Sequence, residues 1–129
     1  MVVFCARIGV MIMIANVTMI ATAALGAYNL FRWFRGVRKF ELLAAHPLTG
    51  LAALAVLVFF LKGVNGGDGL PAGPFGNVAA ALLGLAAFSG LVAPTLEPGS
   101  RWRSNLLLAA HVACGLTGIV VAIVWINQL

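Results

Sequence analysis

Four apolar runs, separated by short stretches rich in charge or in Gly and Pro, constrain this chain more than any other feature. They lie at about residues 8–31, 42–62, 77–93 and 105–127, and each approaches the ~20 residues that an α-helix needs to cross a hydrocarbon layer about 30 Å thick. Inside such a layer no water can satisfy the backbone, so each run has to close its own hydrogen bonds as a helix. With 63% hydrophobic residues and 9% charged ones, the chain has too little polar surface to coat a soluble globule of 129 residues. The expected fold is therefore all-α: a single domain over residues 1–129 forming an integral membrane four-helix bundle of up-down-up-down topology.

The charges report orientation. Of eight Lys and Arg residues, six fall in two segments: Arg32, Arg35, Arg38 and Lys39 after the first run, and Arg101 and Arg103 before the fourth. Both segments interleave cations with rings (Phe31, Trp33, Phe34, Phe40, Trp102), the pattern of a membrane interface on the cytoplasmic side. Both termini are then expected outside, and the net charge of +5 points to lipid rather than nucleic acid. The expected location is a prokaryotic inner or photosynthetic membrane. The segment from Gly63 to Gly76, with Asp68 as its only charge, reads as an external loop. Asn65-Gly66-Gly67-Asp68 offers one carboxylate and reads as a plain turn rather than a cation site. The first run reads as a retained helix rather than a cleaved signal peptide, because the strong positive cluster follows it. Cys5 and Cys114 fall near opposite faces in this topology, which argues against a disulfide between them.

One stretch occurs twice. Leu42-Leu43-Ala44-Ala45-His46 runs on to Gly50-Leu51, and Leu107-Leu108-Ala109-Ala110-His111 runs on to Gly115-Leu116, at an offset of 65 residues without a gap. His46 and His111 are the only histidines of the chain, and the repeat places them at matching depths of helices two and four, diagonal partners in a ring of four. Two neutral imidazoles so placed form a ligand pair for a flat apolar cofactor, haem b first among candidates. Gly50 and Gly115, at i+4 from their histidines, are read as leaving space for the macrocycle. Arg35, Arg38, Arg101 and Arg103, with Arg32 and Lys39, lie toward the surface to which propionates would point. Pro47 cannot donate to the carbonyl of Leu43, so the second helix is expected to start near His46 or to kink there.

With its two H-x-x-x-G segments on alternate helices, the bundle resembles the cytochrome b561 group and the haem b membrane subunits that relay electrons between quinone and a partner enzyme. Members of that group carry four ligand histidines for two haems, whereas this chain has two. The resemblance implies one bis-histidine haem b in an electron-transfer subunit of a larger membrane complex, rather than a stand-alone enzyme. Two other readings compete: a chlorophyll-binding accessory subunit of a photosynthetic complex, with one pigment per histidine, and a cofactor-free assembly or anchor subunit. The three carboxylates, Glu41, Asp68 and Glu97, lie in loops or at helix ends, so neither intramembrane acid–base chemistry nor an ion pathway is visible.

Overall fold

The computed structural model describes residues 2–36, 40–65, 74–93 and 101–128, with side chains described over 9–36, 44–62, 74–93 and 102–128. Four helices make up this part of the chain: α1 (Val2–Phe34), α2 (Phe40–Asn65), α3 (Pro74–Val92) and α4 (Arg101–Ile126). Each contains a segment long and apolar enough to cross a membrane: Gly9–Phe34, Ala44–Lys62, Pro74–Val92 and Trp102–Ile126. No strand occurs among the described residues.

The helices run past the apolar stretches at most ends, for local reasons. Pro74 opens α3, where its missing N–H would have had no intrahelical partner and its fixed φ suits the first turn. At the end of α1, Gly36 takes a left-handed φ of 70° and donates its N–H to the carbonyl of Trp33 at 3.1 Å, a glycine cap. Pro47 does not start α2, which begins at Phe40 and continues through it. The lost N–H thus falls inside the helix. Two residues on, the Thr49 hydroxyl donates to the carbonyls of Ala45 at 3.1 Å and His46 at 2.9 Å.

The helices form a ring in chain order. α3 packs most extensively on α4, α1 on α2, and weaker contacts of α2 with α3 and of α1 with α4 close it. α2 and α4 therefore face each other across a diagonal. The packed core, Ala15, Met19, Ala53, Leu57, Phe60, Leu61, Ala79, Ala122, Trp125 and Ile126, fills the end away from the basic segments. Its members pair across the two halves of the chain. Ala15 matches Ala79 at an offset of 64, while Leu57, Phe60 and Leu61 match Ala122, Trp125 and Ile126 at 65. The correspondence thus extends from the histidine stretch to several core positions of the two hairpins, α1–α2 and α3–α4.

Small residues set the approach of the helices, as they must where lipid supplies no hydrophobic drive for association. Gly76 of α3 is buried so closely that a Cβ there would stand 2.7 Å from Leu61 Cδ2 and 2.8 Å from Trp125 Cζ2. At the same end Asn16 and Asn127 exchange amide hydrogen bonds of 3.4 Å in both directions, tying α1 to the end of α4. The outward faces are apolar, and at the basic end Phe34 and Trp102 are 78% and 77% exposed. Rings of that kind at an interface match the anchoring expected from the sequence.

Candidate functional site

His46 projects from the second turn of α2 and His111 from the third of α4, and the diagonal arrangement brings them together. Their ring centroids lie 5.7 Å apart with the planes at 85°. Both rings are partly buried. His46 Nδ1 lies 3.1 Å from the carbonyl oxygen of Thr22 on α1, and His111 Nδ1 lies 2.7 Å from that of Ala86 on α3. A carbonyl oxygen can only accept, so each Nδ1 carries a proton, and in the neutral imidazole Nε2 is then the nitrogen with the lone pair. A backbone carbonyl on the outer nitrogen is the usual support of a metal-bound imidazole, because it fixes tautomer and ring orientation and raises ligand basicity.

The two environments correspond residue by residue. Thr22 and Ala86 are 64 residues apart, as are Gly26 and Gly90, one turn further along α1 and α3. The glycines lie against the imidazoles: a Cβ on Gly26 would meet His46 Cε1 at 2.9 Å, and one on Gly90 would meet His111 Cε1 and Nδ1 at 2.7 Å. Sequence reasoning passed over both, and over the two carbonyls. Gly50 and Gly115 turn the same way toward α1 and α3, but at ordinary contact distance: their nearest neighbours would be Thr22 Cγ2 at 3.5 Å and Ala86 Cβ at 3.7 Å.

Of the basic residues expected near the site, Arg35 is exposed with its guanidinium carbon 4.6 Å from the Phe31 ring centroid, and Arg103 is exposed in the first turn of α4. Arg38 and the Arg101 side chain lie outside the described residues. Arg32 is partly buried. It donates from Nη1 to the Tyr28 hydroxyl at 3.2 Å and has its guanidinium carbon 5.6 Å from that ring's centroid, while its buried Nε has no hydrogen-bond partner among the described residues. Cys114, one turn past His111, is a free thiol, and the Cys5 side chain lies outside the described residues.

What can this arrangement hold? Among the described residues no group of three or more His, Cys, Asp and Glu side chains comes together, so a metal between the two histidines would have at most these two protein ligands. Its remaining positions would need another source, which a tetrapyrrole supplies in its own plane. Two imidazoles sharing one metal have ring centres about 6 Å apart, from a metal–nitrogen bond of about 2 Å on each side and about 1 Å from nitrogen to ring centre. The 5.7 Å separation is close to that span and is also that of an edge-on ring contact. No family model, curated protein or solved structure matches the chain.

Proposed function

We propose that this protein is a small membrane cytochrome b in which His46 and His111 ligate one haem b, as the H-x-x-x-G repeat suggests by its resemblance to the b561 group. The observation that carries the reading is the ring pair: two neutral imidazoles from diagonal helices, each with Nδ1–H on a carbonyl, at the separation one shared metal needs. Two chlorophylls stacked between the rings would need about 10 Å, adding a van der Waals layer of about 3.5 Å to the shared-metal span. One macrocycle therefore suits the spacing better than two.

The bound group would supply one-electron redox chemistry between ferrous and ferric iron. The chain's own part is to hold two neutral nitrogens in place and surround them with lipid-like side chains. His46 lies six residues from the start of α2, about 9 Å in, and His111 lies fifteen from the end of α4, about 22 Å from the far surface. Electron exchange through a group held there favours the basic end, and one such site does not carry electrons across the bilayer alone. We assign the basic end to the cytoplasmic side and both termini to the outside, on the placement of Arg and Lys. The resemblance to the b561 group supports a role as an electron-transfer subunit of a larger complex, exchanging with a quinone or a redox partner. Haemin titrated into the purified protein should saturate at one per chain with a six-coordinate low-spin spectrum. Saturation at two per chain, or no uptake, would contradict the reading.

A further inference from the structure

A helix carbonyl at position i points along the axis toward residue i+4, whose N–H it already accepts. A second donor from a neighbouring helix reaches that oxygen only by passing over residue i+4, where a side chain on the same face would stand in its way. In both hairpins the carbonyl that meets the imidazole is at i, and i+4 is glycine: Thr22 with Gly26, Ala86 with Gly90. A Cβ at either glycine would come within 2.9 Å of ring atoms. Gly84, on the same helix as Gly90, would meet nothing within 4 Å.

We propose that Gly26 and Gly90 are positioning residues for the two imidazoles. By carrying no side chain they admit each ring to its carbonyl. That contact holds the proton on Nδ1, fixes the ring plane, and leaves Nε2 as the ligand atom. Alanine at either position forces the ring off the carbonyl, and the imidazole then partitions between tautomers. The tautomer is a property of the unloaded chain; its consequence for a bound metal rests on the haem reading, since a weaker Nδ1–H···O bond makes imidazole a poorer donor to ferric iron.

The test is long-range proton–nitrogen NMR on histidine-labelled protein in nanodiscs, without haem. Both histidines of the native protein should be protonated on Nδ1. Gly26→Ala should lose that signature at His46 and keep it at His111, Gly90→Ala should do the reverse, and Gly84→Ala should change neither. In haem-loaded protein the first two variants should raise the midpoint potential and alter the low-spin electron paramagnetic resonance signal, which a purely structural role for the glycines would leave in place. A native protein protonated on Nε2 at either histidine overturns the proposal without any variant. So does a folded Gly26→Ala or Gly90→Ala protein with native tautomers and potential. Native Nδ1 tautomers that respond to the variants as described, in a chain that takes up no haem, would sink the haem reading and leave the positioning role standing.

Discussion

Replacing Gly76 by alanine puts a methyl group where three helices meet. The new Cβ would lie 2.7 Å from Leu61 Cδ2 and 2.8 and 2.9 Å from Trp125 Cζ2 and Cε2, against a normal carbon–carbon contact of about 3.5–4.0 Å. Neither neighbour has room to yield, since Leu61 and Trp125 are only 8% and 5% exposed and sit in the packed core. Overpacking of this kind costs roughly 1–3 kcal/mol. Alanine recovers about 0.5–1 kcal/mol of helix propensity, so the net loss should be up to roughly 2.5 kcal/mol. That corresponds to a fall of up to about 60-fold in the folded-to-unfolded ratio. Titration of the micelle-bound protein with a denaturing detergent, followed by tryptophan fluorescence, measures it. Gly84→Ala, where nothing lies within 4 Å, is the matched control and should gain stability from propensity alone. A Gly76→Ala protein as stable as the Gly84→Ala protein would refute the account of how α3 seats against α2 and α4.

Three further outcomes follow from the packing. Pro47→Ala restores a donor for the Leu43 carbonyl inside α2 and should stabilise the bundle by up to about 3 kcal/mol in the same titration; a loss of stability would show that α2 depends on the proline. Trp125→Ala empties the far core and should cost about 3–5 kcal/mol, more than any change at a lipid-facing ring such as Phe59, and an equal effect at the two sites would contradict the core assignment. Asn16→Ala removes the reciprocal amide pair with Asn127, whose bonds are 3.4 Å and exposed, and leaves the bond from Asn127 to the Ile123 carbonyl, so it should cost about 1 kcal/mol at most; a larger loss would mean the pair sets the register of α1 on α4.

The parts of the fold that depend on composition and charge were legible before the structure. Four apolar runs can satisfy their backbones in lipid only as helices, and short connections leave few ways to arrange them. The gapless 65-residue repeat made His46 and His111 a pair, and their rings do meet. What the sequence concealed was which neighbours receive them. The acceptors are main-chain oxygens of Thr22 and Ala86, which leave no trace in residue type. Gly26 and Gly90 repeat at 64 rather than 65, in helices that share few other residues at that offset, so their match does not stand out among the 15 glycines. Gly50 and Gly115 drew attention because they share a face with the histidines, yet the tightest steric contact with the imidazoles comes from the neighbouring helices α1 and α3. Of the two outcomes expected at Pro47, a start near His46 gives way to a helix that begins at Phe40 and runs on through the proline, since an apolar segment in lipid has nowhere else to place its backbone.

The central claim, one haem held between His46 and His111, is tested most directly by the reduced-minus-oxidised spectrum of protein purified from a haem-replete host, beside His46→Ala and His111→Ala. The account predicts a sharp low-spin α band in the native protein and its loss in each variant, because removing either ligand leaves the metal five-coordinate in a site built for two. A colourless native protein, or a variant that keeps the native band, would contradict it.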